Sequence, residues 1–227
     1  MKVSAYLIIR ADSTRVANKN FRMLGDRPLY AWIVAALRKS RFVDEIVINT
    51  DVPERFDSLP SDGRIRIKSR PEDLRGAGVT ANALIRSDLN GFSHETILMS
   101  HATNPFLETA SIDDAIRAFF KGGCDSLFSV TRFQNRLYDA AGAPVNHQAG
   151  VLLQTQDLSP LFFENSCLYV FSKASFLESG SRIGKNHKMF EIDKSEALDI
   201  DDEEDWKIAE LMAGGMKQRR SSRIEGK

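Results

Sequence analysis

The feature that most constrains this chain is an alternation. Short apolar runs recur with longer stretches of helical period between them. Val3–Ile9 reads as a buried strand, and residues 28–40 as a helix with Leu29, Ile33, Ala36 and Leu37 on one face. Pro28 suits the first turn of that helix, where a missing N–H costs nothing. Residues 45–49, 65–68, 96–99 and 126–130 read as further strands, and 79–89 and 110–120 as further helices. This alternation implies β-α-β crossovers and a mostly parallel, doubly wound sheet with helices on both faces.

The order changes at residue 132. Residues 132–163 are rich in Gly, Pro, Asn and Gln, with a strand-like piece at 150–153, and read as an excursion from the main sheet. Strands resume at 167–171 and 188–192, and 203–212 is a closing helix. We therefore expect one α/β domain made of residues 1–131 and 164–216, the excursion, and a basic, disordered tail at 217–227. Of 227 residues, 42% are apolar and 27% charged, as in an ordinary globular protein. Lys plus Arg (31) equals Asp plus Glu (31), so charge gives no reason to expect nucleic acid or a membrane as partner. Cys124 and Cys167 have no Cys or His at metal-ligand spacing and are expected to be buried, reduced thiols. The first apolar run stops at Arg10, too short for a signal segment or a membrane span, which implies a cytoplasmic protein.

In open α/β sheets ligands bind outside the carboxyl ends of the strands. Arg10, Asp51, Arg70 and the run 100–105 all follow strands. The loop from Arg10 to Asn20 holds Ser13, Arg15 and Lys19, cations and small groups suited to a polyphosphate or to a solvated turn. Asp51 suits a cap for the turn that Pro53 begins better than a metal or ribose ligand. His101 fits a loop role better than a substrate contact. Asp199 and Asp201, two apart in an extended segment, point the same way and are hard oxygen ligands suited to Mg²⁺ beside phosphates. Asp202 to Asp205 fit the acidic start of the closing helix.

Together these segments resemble the CMP-sialic acid synthetases, or acylneuraminate cytidylyltransferases. The family motif A-R-x-x-S-x-R/G-x-x-x-K-N is matched at Arg10, Ser13, Lys19 and Asn20. Five more motifs follow in the family's order: Asn49-Thr50-Asp51, Arg70-Pro71-Glu72-Asp73-Leu74, His101 to Phe106, Glu164 to Tyr169, and Asp199 to Asp205. The matches span residues 3–211. The resemblance implies a nucleotide-diphosphosugar-transferase-like, three-layer fold whose excursion carries a homodimer contact. It implies that CMP passes from CTP to the anomeric hydroxyl of an acidic nine-carbon sugar, with release of pyrophosphate. By the same resemblance Arg10, Ser13, Lys19 and, in place of a cation at Thr14, Arg15 bind the triphosphate. Asn20, Arg70 and Thr80 contact the cytidine, and Asp199 and Asp201 hold Mg²⁺. His101, Gln156, Asn165 and Tyr169 lie toward the sugar. The main catalytic burden falls on Arg10, Lys19 and Asp201.

The chain departs from the family pattern at His101 (usually Gln), Thr155 (usually Arg) and Ser166 (usually Gly). All three lie toward the sugar and favour a nonulosonate other than N-acetylneuraminate. A synthetase for CMP-Kdo is the alternative substrate reading, although its S-G-T-D-R and Q-G-D-E-P motifs are absent. A nucleotide-binding protein without turnover is the alternative class, and it leaves the paired aspartates without a purpose.

Overall fold

The computed structural model describes residues 1–60, 62–76 and 78–225, with side chains through residue 215 apart from those gaps. The first strand, β1 (Val3–Ile9), leads into a small hairpin, β2 (Met23–Leu24) and β3 (Arg27–Pro28). Then come α1 (Leu29–Lys39), β4 (Val43–Thr50), β5 (Ile65–Ser69), α2 (Ala81–Asp88), β6 (Thr96–Ser100) and α3 (Thr109–Lys121). The chain continues through β7 (Ser126–Phe133), β8 (Leu161–Ser172), α4 (Lys173–Ser179), β9 (His187–Glu191) and α5 (Glu203–Glu225).

Seven strands make one sheet in the order β5-β4-β1-β6-β8-β7-β9. Only β8 runs against its neighbours. Alternation along β1 divides the core. Ala5, Leu7 and Ile9 face the cluster that includes Ile33 and Leu37 of α1 and Ile112 and Ile116 of α3. Tyr6 faces the other cluster, with Ile85 of α2 and Phe176 of α4. The molecule is thus a three-layer α/β fold. A third cluster packs α5, through Trp206 and Ala209, against Val16, Leu24, Leu29 and Phe106. No helix among the described residues is long and apolar enough to cross a membrane.

The parallel register aligns the ends that matter. Ile9 pairs with Thr50, Thr50 with Ser69, and Leu7 with Ser100. Arg10, Asp51, Arg70 and His101 therefore emerge along one edge of the sheet.

Several boundaries differ from the sequence reading. The hairpin β2–β3 and helix α4 are additional elements. α4 is seven residues long, begins on a Ser172 cap that accepts from Ser175 N, and ends at Gly180 with φ 70°. Residues 150–153 form no strand, because they have no neighbour to pair with, and Leu152 is 90% exposed. The excursion is shorter than expected at both ends, because β7 and β8 pair as far as Phe133 and Leu161. Helix α5 carries on through Glu225 instead of fraying at 217, as its run of Lys, Gln and Arg permits. The side chains of that tail, and residues 226–227, lie outside the described residues. Cys167 is buried, but Cys124 is only partly so.

β8 pairs with β6 only from Leu168 onward, so its first half stands beyond the carboxyl edge on β7 alone. A register shift between Phe128 and Val130 marks the departure. Asn165 braces it. Its Oδ1 accepts from Ser129 Oγ (2.6 Å) and Cys167 N (3.2 Å), and its Nδ2 donates to Thr131 Oγ1 (2.9 Å). The next residue, Ser166, has φ 59°, a left-handed conformation that costs an L-residue other than glycine about 1 kcal/mol. Ser166→Gly should raise unfolding stability by roughly 0.5–1 kcal/mol, the gain being trimmed by glycine's looser unfolded state. Urea midpoints of the two proteins measure this, and an unchanged or lower midpoint would contradict it.

Candidate active site

The loop after β1 is organised around its own backbone. Asn20 Nδ2 donates to Arg10 O (2.9 Å), and Ala11 N donates to Asp51 Oδ1 (2.9 Å). Asp51 therefore does not cap the turn at Pro53. Thr50 Oγ1 accepts from Val52 N there (3.2 Å), which frees the longer carboxylate to reach the neighbouring loop. Arg10 reaches Gly76 O through Nη1 (3.4 Å), and Ser13 lies half-buried in the same loop.

Three distant segments then close on one another. Lys19 Nζ donates to Ile200 O (2.6 Å), Ile200 N to Thr103 O (2.9 Å), and Asn104 Nδ2 to Leu198 O (3.3 Å). These bonds hold Asp199 and Asp201 beside the cationic loop. Asp201 Oδ1 lies 2.6 Å from Arg15 Nη2 and 3.7 Å from Lys19 Nζ. Asp199 is half-buried, and its Oδ1 is a buried oxygen with no hydrogen-bond partner among the described residues. Burial raises its pKa, the like charge of Asp201 adds to the rise, and a hydrogen bond from Thr103 opposes it. Burial likewise lowers the pKa of Lys19, against the pull of Asp201 and Asp199. The rest of the acidic run has another use. Asp202 Oδ1 accepts from Glu204 N and Asp205 N, and Asp205 Oδ2 accepts from Asp201 N and Asp202 N. Those two carboxylates cap α5 reciprocally. Arg22 anchors the same helix with a fork on Glu203 (2.7 and 2.9 Å) and its plane 4.2 Å over Trp206.

Arg70 is 2% exposed. Its Nε donates to Asn49 Oδ1 (2.7 Å) and its Nη2 to Asn49 O (3.2 Å). Thr80 is exposed and caps α2, accepting from Ala83 N (3.2 Å).

The other predicted residues fall in two places. Tyr169 Oη donates to Glu164 and accepts from Arg182 Nη2 (3.0 Å), whose guanidinium lies 3.8 Å over the Tyr169 ring. His101 meets Tyr169 edge-on at 6.4 Å. The His101 Nε2 atom is buried with no partner among the described residues, so the expected bond to a loop carbonyl is not made there by that nitrogen. Burial first, then the charge of Arg182, lowers the His101 pKa to about 4, which leaves the ring neutral and a weak base. Gln156 stays apart. It is exposed on the excursion, its amide donating to Gln154 Oε1. Arg182 was missed by the sequence reading, since a lone arginine in a Gly-Ser turn carries no spacing signal.

A cavity of about 810 Å³ lies between the Asp199–Asp201 segment and the first half of β8. Asp199 and Asp201 line one side, Asn165 and Ser166 another, and Phe133 and Leu161 give it an apolar wall. That volume lies in the range of small-molecule clefts.

The sheet is mostly parallel, with cations and carboxylates gathered at its carboxyl edge. The family model for cytidylyltransferases matches residues 7–218, and the chain belongs to that family. It is 26% identical over 215 residues to the N-acylneuraminate cytidylyltransferase A of Danio rerio, covering 92% of this chain and 50% of that protein. It therefore spans only about half the length of this relative. It is 25% identical over 227 residues to the CMP-N,N'-diacetyllegionaminic acid synthase of Legionella pneumophila, covering 93% of this chain and 96% of that one. Among solved structures it resembles a CMP:2-keto-3-deoxy-manno-octonic acid synthetase complexed with CTP (TM-score 0.68, 10% identity, covering 95% of this chain and 100% of that one), a likeness of fold alone.

Proposed function

We propose that the protein transfers CMP from CTP to the anomeric hydroxyl of a sialic-acid-type nonulosonic acid. The observation that carries this reading is the closure of the Arg10–Asn20 loop on the Asp199–Asp201 segment, through Lys19, Ile200 and Thr103. It sets cations for a triphosphate beside Asp201, which they pair, and Asp199, whose Oδ1 has no hydrogen-bond partner among the described residues. The names of the relatives favour a nine-carbon sugar over the eight-carbon one, whose synthetase shares only the fold.

In the reaction the sugar hydroxyl forms a bond to the α-phosphorus, and the α–β bridging bond breaks in line. Pyrophosphate leaves with the electron pair. Arg10, Arg15 and Lys19 neutralise its growing charge, and Arg70 and Asn20 hold the base so that the α-phosphate is presented to the sugar. Asp199 and Asp201 fit Mg²⁺, because both are hard oxygen ligands and Asp199 keeps a buried oxygen without a partner. When bound there, the ion neutralises phosphate charge and acidifies the attacking hydroxyl. Glu164, Asn165 and Ser166 line the sugar side, and Arg182 with His101 offers it polar contacts beside Tyr169. Two unpaired cysteines fit a reducing cytoplasm.

The test is a panel of 3-deoxy-ulosonic acids incubated with CTP and read as pyrophosphate release. Turnover on nonulosonates is expected. Exclusive turnover on the octulosonate would transfer the reading to Kdo, and CTP binding without turnover on any sugar would refute an enzyme of this kind.

The excursion supports a homodimer. Tyr138, Val145, Leu152 and Phe163 are all more than half exposed. Exposed apolar side chains gathered on one segment suit association, and a two-fold dimer is the commonest form. The exposed Gln156 then serves the neighbouring subunit's sugar side. Removing residues 139–148 should weaken association or raise the sugar KM and leave CTP affinity within about twofold, since no nucleotide contact changes. Sedimentation of the intact protein as a monomer at micromolar concentration would overturn the dimer.

A further inference from the structure

One buried carboxylate lies outside everything assigned so far. Asp88, the last residue of α2, is 2% exposed and receives donors from three adjacent strands. Tyr6 Oη of β1 donates to its Oδ2 (2.8 Å), Asn49 Nδ2 of β4 donates to the same oxygen (2.7 Å), and Lys68 Nζ of β5 donates to Oδ1. The middle donor belongs to the amide whose oxygen receives Arg70 Nε.

An amide has two ends, and only its surroundings decide which way it faces. A carboxylate accepts and never donates, so Asp88 fixes Asn49 with its nitrogen inward. The Asn49 oxygen is thereby aimed at Arg70, which otherwise has only the Asn49 backbone carbonyl for its fork. A buried guanidinium without an acceptor is costly and mobile between rotamers. Among the described residues Nη1 of Arg70 makes no hydrogen bond, so it is the donor left to meet a ligand.

We infer that Asp88 is a positioning residue for nucleotide recognition, acting through the Asn49 amide to hold Arg70 in the orientation that reads the base. The inference rests on the proposal that Arg70 contacts the cytosine. It adds a residue 18 positions beyond Arg70 that reaches it only through Asn49.

The decisive comparison uses Asp88→Asn, Asn49→Asp and the double exchange in the full chain. In Asp88→Asn the new amide donates to Asn49 Oδ1, Asn49 turns over, and its nitrogen faces Arg70 Nε. The CTP KM should rise about tenfold and the CTP-to-UTP preference fall by a similar factor, with kcat within about threefold, as expected for one misplaced charge-assisted bond. The double exchange gives Arg70 an acceptor again, the carboxylate introduced at position 49, with the amide introduced at position 88 donating to that carboxylate. It should recover the CTP KM and the base preference, whatever the two variants do to the melting temperature. A merely structural Asp88 would lower melting temperature and leave both kinetic readouts unmoved, and that result would overturn the inference. So would a folded double variant with no recovery. If Asp88→Asn does not fold, Asn49→Ser removes the intervening amide with Asp88 kept, and must raise the CTP KM similarly; an unchanged KM overturns the inference. Arg70→Lys is the separate check on the base reading. If it leaves CTP binding intact, that reading falls with the inference; if it weakens CTP while the exchanges do nothing, only the inference falls.

Discussion

Asp201→Asn should lower kcat by at least ~10²-fold while CTP still binds, because the loss falls mainly on charge that develops in the transition state. The geometry gives the reason. Asp201 Oδ1 lies 2.6 Å from Arg15 and 3.7 Å from Lys19, and its carboxylate shares the edge with Asp199. An asparagine keeps the shape and the capping of α5, which depends on Asp202 and Asp205. It removes one of the two carboxylates suited to Mg²⁺, and it takes from Arg15 and Lys19 the charge of Asp201. Those cations still attract a triphosphate, so affinity for CTP survives. Single-turnover pyrophosphate release at saturating Mg²⁺ reads the chemical step, and calorimetry with CTP reads binding. A near-normal kcat under those conditions would remove Asp201 from the reaction.

The second large effect concerns the base. CTP should be preferred over UTP by roughly 10³-fold in kcat/KM, the scale set by buried polar groups left unpaired. Cytosine presents an acceptor at N3 and a donor at its 4-amino group. Uracil reverses both. Arg70 can only donate, and it is buried and held by two bonds to Asn49. Asn20 spends its nitrogen on Arg10 O, which leaves its oxygen to accept. In the proposed binding, with Arg70 at N3 and Asn20 at the 4-position, a uracil ring meets donor against donor and acceptor against acceptor. Equal kcat/KM for the two nucleotides would redirect the protein to a different nucleotidyl donor.

Much of the framework could be read from the chain because apolar runs such as Val3–Ile9 and Thr96–Ser100 are bounded by polar loops. Buried parallel strands leave that pattern. α4 left none, since only Ser175 and Phe176 of its seven residues are buried and about two turns show no period. The loops of the site were legible through their place after strands, as with Arg10, Arg70 and His101. What those side chains do there was not. Asp51 was expected to cap locally and instead reaches Ala11, 40 positions away. Asn165 was expected near the sugar; it lines the cavity, and most of its amide is spent on Ser129, Thr131 and Cys167, a bracing role no local pattern announced. Asp88 and Arg182 earn their places only from partners such as Tyr6 and Met99, 82 and 83 positions away, which no local pattern encodes.

The bond from Lys19 to Ile200 spans 181 residues, and the one from Ile200 to Thr103 nearly a hundred. During synthesis, at 5–20 residues per second, the first loop leaves the ribosome roughly 10–35 s before the segment that completes it. Through that interval β1, β4, β5 and β6 can already pair, because their connections are short and complete. The catalytic edge cannot, because it waits for Asp199, Asp201 and the Trp206 helix that holds them down. The proposed activity therefore has a birth time of its own, later than that of the sheet, and a nascent chain arrested before residue 200 is expected to hold paired strands without the proposed site.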